Sequence, residues 1–183
     1  MRNSRPLVIM AEVAIMSALA IVLDFFSFKV WAQGGSVSLI MLPIFVVAFR
    51  RGLKYGLLTG LIVGLLNMLI QPSIYHPVQA IVDYPIAFLG VGLAGIFYFN
   101  SERVKNNPIP YLIIGVLIGS LWRFLAHFYA GIVWFGVYAP EGTPVPWYSF
   151  TYNMTYMGPA FLLCLVVLLL LYKANRRILN PNA

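Results

Sequence analysis

Asp83 and Tyr84 stand side by side, and Arg123 and His127 stand four residues apart. Tyr148, Tyr152 and Asn153 form a third polar group, and Trp134 follows His127 by seven residues. On a helix these spacings put Arg123, His127 and Trp134 on one face. A carboxylate can supply a counter-charge. An imidazole and an amide can hydrogen-bond ring nitrogens and an amine. Aromatic faces attract a cation, most strongly where water is excluded. This inventory suits a small cationic heterocycle better than a sugar or an inorganic ion.

The elements that position these groups are apolar. Of 183 residues, 61% are hydrophobic and 9% charged, against about 25% charged in soluble domains. Mean hydropathy is +0.87. A water-soluble globule, a disordered chain and a disulfide scaffold are excluded. The fold class expected is an all-α integral membrane protein, one transmembrane domain over 1–183. Six apolar segments can be marked: 7–26, 38–49, 53–70, 78–99, 109–135 and 147–172. Turn-forming residues separate them, including Gln33-Gly34-Gly35, Arg50-Arg51-Gly52, Asn106-Asn107-Pro108 and three prolines between 140 and 146. The second segment is shorter than the roughly 20 residues of a full span, so it is short, tilted or partly re-entrant.

Charge orients the segments. With the N-terminus inside, the inner ends hold Arg2, Arg5, Arg50, Arg51, Lys54, Arg103, Lys105, Lys173, Arg176 and Arg177, ten of the twelve cations. The outer loops hold Lys29, and Arg123 lies within a span. This bias predicts both termini in the cytoplasm and a multi-pass protein of the cell membrane. Cations scattered over four inner ends do not form a nucleic-acid stripe. Ala18-Leu19-Ala20 resembles a signal-peptidase site, but the apolar run continues through Ile21-Val22-Leu23 and Glu12 interrupts it, so the first helix is expected to be retained. The lone Cys164 reads as an apolar packing residue. No metal-ligand set and no cofactor motif is found.

Depth follows from the helical rise of about 1.5 Å per residue. Asp83, Tyr84, Arg123, His127, Tyr148, Tyr152 and Asn153 fall in the outer half of the bundle, with Tyr75, His76 and Trp31 in the outer loops. Ionisable groups at this depth are costly and usually functional. Only one intramembrane aspartate, Asp83, and one intramembrane arginine, Arg123, are expected. They could instead pair and join helices, and Trp31, Trp134, Trp147 and Tyr148 equally suit an interfacial aromatic belt. The joint occurrence favours a pocket. Glu12 stands apart at the inner side, where Arg2, Arg5 or a neighbouring helix could pair with it. Small residues at Ala14-x-x-x-Ala18, Gly60-x-x-x-Gly64 and Gly115-x-x-x-Gly119 allow close helix contact, inside the bundle or with a partner. No internal repeat and no phosphate-binding loop is found, so ATP-driven transport would need other subunits. Rival readings are a small membrane enzyme on a lipid or prenyl substrate, for which a single acid and a single cation are too few, and an assembly subunit, which needs no polar cluster.

Several stretches together carry a family resemblance. They are Glu12-Val13-Ala14 with Ser17-Ala18-Leu19-Ala20; Arg50-Arg51-Gly52-Leu53-Lys54-Tyr55-Gly56-Leu57; Asp83-Tyr84-Pro85-Ile86-Ala87-Phe88; Gly92-Leu93-Ala94-Gly95; His127-Phe128-Tyr129-Ala130-Gly131 with Tyr138-Ala139-Pro140; and Tyr148-Ser149 with Tyr152-Asn153. The chain resembles the thiamine-specific S components, the substrate-binding subunits of energy-coupling factor (ECF) vitamin transporters. The resemblance implies a six-helix bundle, N-in and C-in, that captures thiamine from outside and is not itself an enzyme. It implies ligand contacts from Asp83, Tyr84, His127, Trp134, Tyr148 and Asn153, with Trp31 as a lid and Tyr75 from the loop. It implies that Ala14 and Ala18 meet a transmembrane coupling subunit, which works with two cytoplasmic ATPases. The sequence departs from the expected pattern at Asp83, where Glu is expected, and at Val63, where an aromatic is expected. An S component for another vitamin, such as riboflavin, is the alternative within this class.

Overall fold

The computed structural model describes residues 5–31, 34–104 and 106–180. Helix α1 covers Arg5–Phe25 and is followed by a hairpin of β1, Phe28–Trp31, and β2, Gly34–Val37. Helices α2, Met41–Arg51, and α3, Leu53–Ile70, come next. Helix α4 runs over Pro77–Phe97, α5 over Pro108–Val133 and α6 over Val145–Ala174.

Five of these, all but α2, are long and apolar enough to cross a membrane. The apolar segment 38–49 forms the exception. Eleven residues at about 1.5 Å each reach little more than half of the roughly 30 Å apolar layer. Helix α2 is instead the centre of the core, with Met41 and Pro43 to Phe49 buried. Gly52, at φ 85°, turns the chain from α2 into α3, and its N–H closes the end of α2 on Ala48 O. That backbone region favours glycine.

Of the five long helices, α4 is the central one: 61% of its apolar window is buried, against 22–33% in the other four. Their outer faces carry exposed Leu, Ile, Val and Phe, as a lipid-facing surface does. The glycine pairs serve the interior. A Cβ at Gly60 would lie 2.2 Å from Phe88 O, and one at Gly119 would lie 2.7 Å from Val91 O. The Ala14 and Ala18 face of α1 differs, being exposed on the bundle surface. Val63 is fully buried in the core.

At the end of the bundle that carries Glu12, that residue pairs with α2. Its Oε1 lies 2.6 Å from Arg50 Nε, and its Oε2 accepts from Arg51 Nε at 2.7 Å. Arg50 Nη1 also donates to the carbonyls of Arg177 and Ile178 at 2.6 and 2.9 Å. This ties the C-terminal turn to α1 and α2.

Candidate substrate-binding site

The site is built around an irregularity in α4. Pro85 has no N–H to donate, and its ring crowds the carbonyl four residues back. The helix widens into a π turn over Val82–Ile86. Such turns concentrate at functional sites, and this one carries Asp83 and Tyr84. Upstream, His76 caps α4, its Nδ1 accepting from Val78 N at 3.2 Å, with Pro77 in the first turn. Gln79 Oε1 accepts from Tyr75 N at 2.9 Å and closes the capping box on His76 N.

Gln79 then turns inward. Its Nε2 donates to Asp83 Oδ2 at 2.7 Å and to Ser73 O at 3.3 Å. Asp83 Oδ1 lies 2.9 Å from His127 Nδ1 on α5. Arg123, one turn earlier, donates from Nε to His127 Nε2 at 3.3 Å. Arginine can only donate, so His127 Nε2 accepts and the ring proton sits on Nδ1, facing Asp83. The Arg123 guanidinium also lies 4.2 Å above the Phe88 ring. Two of the roughly four lone-pair sites of the Asp83 carboxylate are taken by Gln79 and His127, and the others remain for a ligand. Tyr84 holds the preceding loop: its hydroxyl accepts from Ser73 N at 2.6 Å and donates to Gln71 O at 3.3 Å.

Helix α6 supplies the opposite wall. Tyr148, Tyr152 and Tyr156 recur every four residues, with successive rings 5.8 and 6.0 Å apart. Asn153 Nδ2 donates to Ser149 O at 2.8 Å, and its Oδ1 accepts from the Tyr156 hydroxyl. Ser149 Oγ donates to Phe128 O at 2.8 Å. The α5–α6 contact there is close at Gly131, where a Cβ would lie 2.1 Å from Ser149 Oγ.

These groups enclose a cavity of about 530 Å³, within the usual range of small-molecule sites. Asp83, Tyr84, His127, Tyr148 and Asn153 all line it, as do Arg123 and Tyr152. The hairpin contributes Gly35 and Ser36 beside Lys29. Gly35, at φ +78°, backs onto the Tyr156 ring, where a Cβ would lie 2.6 Å from Cδ1.

Two expected residues fall elsewhere, and the side chain of a third is not among those described. Trp134 is not in the cavity wall. Helix α5 ends at Val133, so the His127 stripe stops one residue short, and Trp134 stacks on His76 at 5.8 Å. Phe135 and Tyr138 line the cavity in its neighbourhood. Tyr75 is not in the wall either. It is largely exposed and packs against Phe135 at 5.9 Å. Trp31 pairs with Gly34 across the hairpin, and its side chain lies outside the described residues.

The expected count of one intramembrane aspartate is corrected. Asp24, near the end of α1, is 7% exposed and lines the same cavity. Asn67 and Gln71 of the α3 end donate to its Oδ2 at 2.9 and 3.1 Å. An acid inside an apolar run was its available signal, whereas Gln79 and Tyr156 had only their i+4 spacing from Asp83 and from Tyr152. The expected alternative of a direct Asp83–Arg123 pair gives way to a chain in which His127 stands between them.

With this geometry, the chain can be set beside known proteins. The family described as thiamine transporter protein (Thia_YuaJ) matches residues 10–180. A thiamine transporter, ThiT, of Bacillus subtilis (strain 168) is 45% identical, over 100% of this chain and 99% of the relative. ThiT of Lacticaseibacillus paracasei is 34% identical, over 84% and 81% of the two chains. The solved structure of ThiT from Listeria monocytogenes superposes with a TM-score of 0.87 at 30% identity, covering 97% of this chain and 100% of the other.

Proposed function

Because the chain belongs to the thiamine transporter family, we propose that its cavity is a high-affinity thiamine site and that the protein is the substrate-binding subunit of an ECF-type importer. The observation that supports this most is the joined polar set Gln79–Asp83–His127–Arg123 facing the tyrosine ladder across one cavity. Thiamine offers an aminopyrimidine and a permanent thiazolium cation. The open lone pairs of Asp83 and Asn153 suit the amine and a protonated ring position. The tyrosine faces of α6 suit the cation.

In this reading Asp83, Tyr84, His127, Tyr148 and Asn153 contact thiamine directly. Tyr75 and Trp134 sit at the rim, and Trp31 serves as the lid. The cavity end faces outward and both termini lie in the cytoplasm, following the cationic bias of the opposite end. The exposed Ala14 and Ala18 face of α1 receives the coupling subunit, since small residues let a partner helix approach closely. The energy of uptake comes from two ATPase subunits, and the chain performs no catalysis.

Titration of the purified protein in detergent, followed by tryptophan fluorescence, tests the substrate. Saturable quenching by thiamine and none by riboflavin is the expected result. A flat thiamine response would remove the assignment. For the rim, Trp134→Ala is expected to weaken thiamine binding at least about tenfold, roughly 1.4 kcal/mol, measured by calorimetry. Unchanged affinity would show that Trp134 only packs on His76.

A further inference from the structure

We propose that Gln79 is a positioning residue of the site, which holds the Asp83 carboxylate in place for the ligand and ties it to the rim loop without itself hydrogen-bonding the ligand; this rests on reading the cavity as a thiamine site. Gln79 lines the cavity yet is only 1% exposed. A glutamine amide can give two hydrogen bonds and accept two. All four are made here within the protein. Nε2 donates to Asp83 Oδ2 at 2.7 Å and to Ser73 O at 3.3 Å. Oε1 accepts from Tyr75 N at 2.9 Å and from His76 N at 3.4 Å. No polar capacity is left over for a ligand.

The amide has one workable orientation. Turned over, its NH2 would face the N–H groups of Tyr75 and His76, and its oxygen would face Ser73 O and the Asp83 carboxylate. Each contact would then set donor against donor or acceptor against acceptor. Gln79 therefore always presents Asp83 with a donor. The need for one lies in α4 itself. Gln79 sits in the regular stretch Pro77–Ile81, and Asp83 follows in the π turn Val82–Ile86. A π turn departs from the regular hydrogen-bond ladder of the helix. The Gln79 bond ties the carboxylate back to the capped turn before that irregularity, and through Ser73, Tyr75 and His76 to the loop between α3 and α4. His127 holds the other oxygen, Oδ1. A fully satisfied buried network specifies a single arrangement, so the remaining lone pairs of Asp83 keep one direction into the cavity.

A double-mutant cycle tests this, with thiamine titrated against the full-length protein in detergent. Gln79→Met keeps an unbranched side chain of similar length and removes all four bonds. Alone it is expected to weaken thiamine at least about tenfold. In an Asp83→Ala background there is no carboxylate left to place, and the same change is expected to cost less than about threefold. A residue that merely supported the fold would cost the same in both backgrounds. Should Gln79→Met fail to fold, Gln79→Ala leaves room for water to meet the freed polar groups, and the same cycle is read. Equal losses in the two backgrounds, or an unchanged affinity in the Gln79 variant alone, would overturn the proposal. Failure of the wild-type protein to bind thiamine at all would instead overturn the reading on which it rests.

Discussion

Asp83→Ala lowers the affinity for thiamine at least about a hundredfold, close to 2.7 kcal/mol, with the folded protein still obtained. The size of the effect follows from the position of Asp83 in the network. Its two oxygens take Gln79 Nε2 at 2.7 Å and His127 Nδ1 at 2.9 Å. Truncation removes the acceptor offered to the ligand and leaves an amide and an imidazole without their partner. Truncating one member of a buried, hydrogen-bonded charged set costs about 2–5 kcal/mol in binding. The protein should still fold, because the residue lies in a cavity wall and the π turn is set by Pro85. Calorimetric titration of the variant measures the loss. An affinity within about threefold of wild type would mean that the ligand sits elsewhere in the cavity.

Gly64→Val is expected to abolish measurable thiamine binding and to lower the unfolding temperature. Here α3 lies directly on the π turn: a Cβ at Gly64 would be 2.6 Å from Tyr84 O and 2.8 Å from Pro85 Cα. Both obstacles are backbone, so no side chain can swing aside. The helices must part, and the segment that moves is the one bearing Asp83 and Tyr84. Overpacking of this kind costs about 1–3 kcal/mol and sometimes more. Gly158→Ala is the matched control, since its Cβ would meet the flexible tip of Met154 at 3.4 Å. Thermal unfolding and thiamine titration of the two variants make the comparison. A Gly64→Val protein that binds normally would refute the tight α3–α4 seam.

The site was legible in the sequence as far as depth and spacing go. Asp83, His127, Tyr148 and Asn153 each fall at one level of the bundle when counted along a helix. The i to i+4 relation of Arg123 and His127 survives as a hydrogen bond. Glu12 was recognisable as an acid needing a partner, and packing chose Arg50 and Arg51. The π turn was not anticipated, although Pro85 inside an apolar run was its available signal. Counting failed where the chain leaves a helix, as it does after Val133, and Trp134 consequently departs from the stripe of His127. It failed again at Asp24, which a linear reading leaves at the end of the first segment, away from every residue of the pocket.

The sequence by itself determined the class of molecule and its long helices, because hydropathy and helical rise are local quantities that each segment expresses alone. It also determined the level at which polar groups occur. Tertiary structure alone decided which faces meet. The burial of α2, the hairpin over the cavity, the insertion of His127 between Asp83 and Arg123, and the arrival of Asp24 in the same wall all depend on how helices rotate against one another. That rotation is set by close contacts such as Gly64 on Tyr84 and Gly131 on Ser149, between residues far apart in the chain, whose partners no local pattern names.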